Sequence, residues 1–426
     1  MKIGIFLGTM TATEGGGHTL LHDQLSALGR IRETCGHELV LCHYNEGEEL
    51  ARTFPEFPRL NIDAERVHVL TEDEKLYERQ LKELVIREEK YQWLPHALRH
   101  VRYVLFLQPP KLLSQPKLSW EERVYRRAGI QFLIRLVPWL EGITLDVPFA
   151  MMVWDLQHRA SPWFPEVSSS QEWQRRERGY QEILRRASVL YTGTKTGRNE
   201  VTFYYDVPPE RIHVLPFVTP TFAREAADGP RQPDRLERFD LPADYLFYPA
   251  QFWPHKNHVV VLEACRIVRE RTGWNLGVVF SGSDKGNIEY VREYARRLGL
   301  EGVTRFPGFV DRPELVELYK SAFCMVFPTF FGPDNLPPLE AFALGCPVIA
   351  SDVPGAREQL GDAARLFPPK DEHALAQAIM DLRDPAARAQ LVSAGRRVAE
   401  RGNWDEYAAQ MLKAVDEFAA IRRTWA

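Results

Sequence analysis

Phe331-Gly332-Pro333-Asp334-Asn335-Leu336-Pro337-Pro338-Leu339-Glu340-Ala341-Phe342-Ala343-Leu344-Gly345-Cys346-Pro347-Val348-Ile349-Ala350 reads as a strand end, a Gly/Pro loop, a short helix and a second buried strand. Asp334 or Asn335 can cap the helix, and paired prolines are tolerated in a first turn. Gly345 follows the last apolar residue, where a left-handed residue stops a helix. A loop of this kind aims backbone N–H groups and a positive helix end at the carboxyl edge of a parallel sheet, which suits an anion. Glu340 then stands beside the site as an acceptor for ligand hydroxyls. Phosphate together with hydroxyls suggests a nucleotide sugar.

The chain around this stretch alternates strands and helices. In the second half, strands are expected at 245–249, 276–280, 303–306, 323–327 and 347–350, each feeding a helix. The first half shows strands at 2–7, 38–44, 147–154, 188–191 and 212–215, with helical patterns at 72–91, after Trp120, and at 171–186. Such alternation implies parallel, doubly wound sheets, which bind ligands at the carboxyl ends of their strands. The fold class is therefore α/β, with two Rossmann-like domains facing a central cleft. The expected boundaries are 1–218 for the first domain, 219–240 for a Pro-, Gly- and charge-rich linker, and 241–400 for the second domain. Residues 401–426 form a last helix that crosses back to the first domain or stays with the second.

The 426 residues allow two domains with real cores, and the net charge of −4 gives no sign of nucleic-acid binding. Cys35, Cys42, Cys265, Cys324 and Cys346 show no metal-ligand spacing and read as free thiols of a reducing compartment. No apolar run reaches the ~20 residues of a spanning helix. A cytoplasmic protein is expected. Residues 96–135 hold eight Lys/Arg against two acids, interleaved with aromatics. They read either as helices with a basic outer face or as a peripheral contact with anionic lipid.

Candidate site residues cluster at strand ends. Gly15-Gly16-Gly17-His18 occupies the turn before the first helix, where glycine lets backbone approach an anion. A tight turn without a ligand explains the same residues, and the spaced fingerprint of dinucleotide binders is absent. Lys256 begins a helix, where a cation opposes the dipole unless a negative partner, such as a diphosphate, is present. Trp154-Asp155-Leu156-Gln157-His158-Arg159 follows a buried strand, so Asp155, Gln157 and His158 are expected at the cleft. His158 is an acid/base candidate, a sugar contact, or a structural histidine. Gly282 and the pair Phe309-Val310 end two more strands and can meet a nucleotide through backbone.

These residues resemble family-4 retaining glycosyltransferases of the GT-B fold (glycosyl transferases group 1). The likeness is strongest from Phe306-Pro307-Gly308-Phe309-Val310 through Phe327-Pro328-Thr329 and Asn335-Leu336-Pro337-Pro338-Leu339-Glu340-Ala341 to Gly345-Cys346-Pro347-Val348-Ile349-Ala350-Ser351-Asp352-Val353-Pro354-Gly355. It implies that Glu340 holds the donor ribose and that Lys256 neutralises its diphosphate. Residues 332–336, including Gly332, Asn335 and Leu336, would offer N–H groups to the donor. Phe309 and Val310 would border the base, and Gly16 and Gly17 would lie near the phosphates. His18, Asp155, Gln157 and His158 fall on the acceptor side, as does Thr192-Gly193-Thr194-Lys195-Thr196. Three positions depart from the pattern. Gly332 stands where a first glutamate is usual, Gln251 where an arginine is, and Trp154 where a histidine is. Asp334 is the nearest acid to the missing glutamate.

The reading is a retaining glycosyltransferase that moves a sugar from a nucleoside diphosphate sugar to a hydroxyl of a glycan or other acceptor. His158, Lys256 and Asp334 are its candidate catalytic residues, and no metal or other cofactor is expected. The rival is a non-catalytic nucleotide- or sugar-binding protein on the same scaffold.

Overall fold

The computed structural model describes residues 1–8, 15–72, 74–75, 119–138, 140, 146–332 and 334–424. Thirteen strands among them form two parallel sheets, of seven and six strands. In chain order they are β1 (Lys2–Phe6), β2 (Glu38–His43), β3 (Arg59–Asn61), β4 (Phe132–Arg135), β5 (Phe149–Val153), β6 (Val189–Thr192), β7 (Ile212–Val214), β8 (Tyr245–Pro249), β9 (Gly277–Ser281), β10 (Thr304–Gly308), β11 (Cys324–Phe327), β12 (Val348–Ser351) and β13 (Ala364–Phe367). Most read as unbroken apolar runs because helices cover both faces of a parallel sheet. The expected strands are present within a few residues. β3, β4 and β13 were missed: the first has three residues, and the other two place an arginine among apolar neighbours.

The chain divides into two compact units. Unit 1 comprises Met1–Thr9, His37–Ile134 and Glu141–Phe149. It carries the strand order β3-β2-β1-β4. Helix Trp120–Arg127 buries Val124 and Tyr125, pairs Arg126 with Glu122 at 2.6 Å, and lays its Trp120 ring under the Arg66 guanidinium at 4.6 Å. These contacts fit the packed-helix reading for that helix. The remaining basic residues from 96 to 118 lie outside the described residues, as does most of the 72–91 run.

Unit 2 comprises Met10–Gly36, Arg135–Leu140 and Ala150–Ala426. It contains β5-β6-β7 in order and the whole six-stranded sheet, β10-β9-β8-β11-β12-β13. In that sheet the chain runs outward from β8 to β10, then returns to β11 on the other side of β8. The strand order reverses between β8 and β11, and a doubly wound sheet opens its ligand crevice at such a reversal. An aromatic core stiffens this edge: Tyr248 of β8 meets Phe280 of β9 and Phe327 of β11 at 6.3 and 5.7 Å between ring centroids. The 219–240 segment includes the helix Thr221–Ala226, whose Ala223 is buried. The last helix, Trp404–Arg422, packs on helix Gly16–Ile31, where Tyr407 Oη accepts from Gln24 Nε2 at 3.1 Å.

Candidate functional site

Unit 2 encloses a cavity of about 650 Å³ at the β8/β11 reversal. Its walls include Gly16, Gly17, His18, Asp155, Lys256, Gly282, Phe309, Val310, Gly332, Asp334, Asn335, Leu336 and Glu340, so residues far apart in sequence meet at one place. Gln157 and His158 are not on those walls. The Gln157 side-chain oxygen Oε1 accepts from the Ser161 hydroxyl at 3.0 Å, and the His158 ring is fully buried.

Lys256 ends the turn Pro254–Lys256, just ahead of helix His258–Thr272 and outside its first turn. Its Nζ lies 5.3 Å from the centre of the Phe327 ring. Glu340 sits in helix Leu336–Ala343, buried, with one oxygen accepting from Tyr319 Oη at 2.7 Å. Lysine and carboxylate thus line one cavity, one from the loop after β8 and the other from the helix after β11.

The loop after β11 differs from the expected capped helix. Neither Asp334 nor Asn335 makes a side-chain cap bond. The Asn335 amide instead donates from Nδ2 to the Gly332 carbonyl at 3.0 Å. Gln359, which sequence reasoning missed, brackets Asn335 by accepting its backbone N–H at 3.0 Å and donating to its carbonyl at 2.8 Å. Pro337 and Pro338 carry no N–H, so the first helical turn offers an anion far fewer donors than an ordinary one. Gly332 has φ 127°, a conformation that penalises any side chain. A glutamate placed here with this backbone would strain the loop. Asp334 reaches across to Gly193, where a Cβ would overlap the Asp334 carboxylate.

Residues 235–398 match the family model described as Glycosyl transferases group 1. That stretch resembles a group 1 glycosyltransferase domain. Among curated relatives, the chain is 27% identical over 256 residues to the O-antigen chain mannosyltransferase B of Escherichia coli, covering 59% of this chain and 66% of that one. It is 30% identical over 252 residues to the D-inositol 3-phosphate glycosyltransferase of Thermobispora bispora, covering 56% and 58%. The chain therefore spans less than two thirds of the length of the curated relatives it matches. Among solved structures, the sucrose-phosphate synthase of Thermosynechococcus elongatus aligns over 99% of this chain and 100% of its own, at 19% identity and TM-score 0.66. Anabaena HepE in complex with UDP aligns over 98% and 100%, at 14% identity and TM-score 0.63. These structures share the GT-B fold with this chain, each with two Rossmann-like sheets.

Burial sets the charge states around the cavity. It pushes Lys256 down to about 8, against the pull of Asp155 and Glu166. Burial raises Glu340 to about 7, with the Tyr319 hydrogen bond working the other way. Asp334 rises to about 8 through burial, and the nearby carboxylates Asp155 and Glu358 add to it, so it is largely protonated at neutral pH. Asp155 accepts from Arg176 Nη1 at 3.1 Å and from the Gln157 backbone N–H at 3.0 Å. The Gly282 N–H is used by the sheet, donating to the Gly308 carbonyl at 2.9 Å. Phe309, an exposed aromatic, borders the cavity.

His158 is corrected from a cleft residue to a core residue. Its Nε2 meets Tyr205 Oη at 2.8 Å, its ring stacks on Tyr180 at 5.4 Å, and Glu177 lies 3.5 Å away. Burial lowers it to about 4, so it is neutral in the fold. We expect His158→Ala to cost about 2–4 kcal/mol in urea unfolding, by loss of packing and a buried hydrogen bond. Nucleotide affinity should stay within about twofold. Because the folded value lies below the unfolded value of 6.5, this histidine's stabilisation is present above pH 6.5 and is lost as pH falls through about 4. The gap between wild type and variant should therefore narrow at pH 4.

Proposed function

We propose that this chain is a glycosyltransferase that moves a sugar from a nucleoside diphosphate sugar to an acceptor hydroxyl, with retention at the anomeric carbon. One observation carries the reading: Lys256, Glu340 and the Gly16-Gly17 helix start line a single cavity at the strand-order reversal. Lys256 supplies positive charge for the leaving diphosphate. Glu340 accepts hydrogen bonds from the ribose, Phe309 and Val310 border the base, and Asp334, as a neutral acid, meets the donor sugar. The acceptor approaches past His18 and Asp155. Its oxygen bonds to the anomeric carbon as the bond to the diphosphate breaks, and its proton passes to the released phosphate oxygen. Preorganised charge on the leaving group is the dominant catalytic effect in such a step. Relatives named as a mannosyltransferase and an inositol phosphate glycosyltransferase, and a structural neighbour that holds UDP, support a nucleotide-sugar donor.

A ligand that binds only the folded state raises its melting temperature by mass action. UDP or GDP at 1 mM is expected to raise it by ~3–6 °C, the equivalent of a dissociation constant near 10 µM. No shift with any nucleoside diphosphate would sink the reading. The second reading, a non-catalytic sugar- or nucleotide-binding protein, draws on Gly332, whose φ of 127° leaves no carboxylate at the place of the usual first glutamate. Nucleotide binding without transfer or donor hydrolysis, across a panel of sugar nucleotides and acceptors, would favour it.

A further inference from the structure

Glu166 is a buried carboxylate that the proposed transfer leaves without a role. It belongs to the short helix Pro165–Ser168, and its side chain is 6% exposed. Oε1 accepts from two groups of His255, the backbone N–H at 2.9 Å and ring Nδ1 at 2.5 Å. Oε2 is buried and has no hydrogen-bond partner among the described residues. His255 directly precedes Lys256. Its ring stacks on Phe331 at 4.0 Å, with an 11° angle between planes. Phe331 opens the loop that leads to Asp334 and Glu340. Phe164, two residues before Glu166, packs edge-on against Phe331 at 5.4 Å. The Glu166 carboxylate thus holds the loop that leaves β8, and the rings of His255 and Phe164 pack that loop against the one that leaves β11.

We propose that Glu166 is a positioning residue for Lys256: it fixes the His255–Lys256 turn and supplies the negative charge that keeps the lysine ammonium protonated. This rests on the reading of Lys256 as the cation that meets the diphosphate.

Among the described residues, the carboxylates whose charge acts on Lys256 are Asp155 and Glu166, His255 and His258 are neighbouring titratable groups, and His18, Asp311, Arg312, Asp334 and Glu340 share its cavity. Burial lowers both histidines, His255 to about 4 and His258 to about 3, so neither carries charge at neutral pH. Asp155 exerts the larger pull and is itself paired with Arg176. Glu166 accepts only from the backbone N–H and the neutral ring of His255 and has no cationic partner among the described residues, so its negative charge is not offset and adds to that of Asp155 at Lys256. A half-buried ammonium with little carboxylate support gives up its proton near neutrality, and a neutral amine cannot stabilise a phosphate.

The test is Glu166→Gln, which keeps the shape and an acceptor for the His255 N–H while removing the charge. Competitive acetylation from pH 6 to 10, read by peptide mass spectrometry, titrates Lys256 without any ligand. UDP and GDP binding by calorimetry is followed over pH 6–9. Wild-type Lys256 should half-titrate near pH 8. In E166Q it should do so about one pH unit lower, the size of shift expected from one neighbouring charge. Diphosphate affinity should match wild type within threefold at pH 6 and fall roughly five- to tenfold behind it at pH 8. An unchanged Lys256 titration in E166Q overturns the proposal. So does an affinity loss equal at every pH, which a purely structural role would give. A shifted lysine in a protein that binds neither nucleotide sustains the Glu166–Lys256 coupling and overturns the nucleotide reading instead. Glu166→Ala gives the same titration readout should E166Q fold poorly.

Discussion

Lys256→Ala is expected to cut sugar transfer by roughly 10²–10³-fold, the usual effect of removing one charge-stabilising group from a reacting centre. The lysine's interaction grows as negative charge develops on the leaving diphosphate, so turnover should fall more than donor affinity. Stability should change little. Burial already penalises this ammonium, as its drop to about 8 shows, so its removal relieves that cost. The same drop fixes the pH dependence. The ammonium is present below 8 and lost above it, so wild-type turnover should decline as pH rises through 8, and K256A should lack that limb. Released nucleoside diphosphate, measured with coupled detection over pH 6–9.5, checks both statements. A K256A enzyme at wild-type rate would place the diphosphate elsewhere.

Glu340→Gln is expected to weaken nucleoside diphosphate binding by roughly 10–100-fold, as a charged acceptor of ribose hydroxyls contributes ~1.5–3 kcal/mol. The unliganded protein should respond in the opposite sense. Burial raises Glu340 from an unfolded value of 4.5 to about 7, so its ionisation costs stability, a cost that grows between these values and is complete above pH 7. E340Q should therefore melt higher than wild type at pH 8 and at about the same temperature at pH 4.5. Tyr319 can still donate to the glutamine carbonyl, so the variant leaves that hydroxyl satisfied. Melting curves at the two pH values, with and without UDP or GDP, read both effects. An E340Q protein that binds as wild type does would remove Glu340 from the site.

Much of the site was legible because strand ends mark themselves. The runs at β8, β9 and β11 are buried on both faces, and β8, β9 and β10 close on Pro249, Ser281 and Gly308 while Pro328 follows β11. That pattern placed Lys256, Gly282, Phe309 and the 331–340 loop on a common edge before any coordinates. His158 shows the limit. It follows the end of β5 much as Lys256 follows that of β8, yet the short helix Gln157–Ala160 turns its ring into a core of Tyr180 and Tyr205. Nothing in Asp155-Leu156-Gln157-His158 announces that turn. Gln359 and Glu166 also escaped notice. Their roles are hydrogen bonds to residues 24 and 89 positions away, and a single polar residue in a helix carries no trace of such a partner.

The sequence by itself determined the alternation of strands and helices, the parallel sheets, and the glycine and proline punctuation of the loops, because each depends on local periodicity and backbone chemistry. Only the tertiary structure decided which groups carry charge. Lys256, Glu340 and Asp334 each sit where burial moves their titration toward neutrality, and burial is a property of the packed neighbours, not of the residue. The same holds for Gly332 and Gly193. Their lack of side chains reads as ordinary loop composition until the loop folds, when the first takes a backbone conformation that disfavours a side chain and the second makes room for the Asp334 carboxylate.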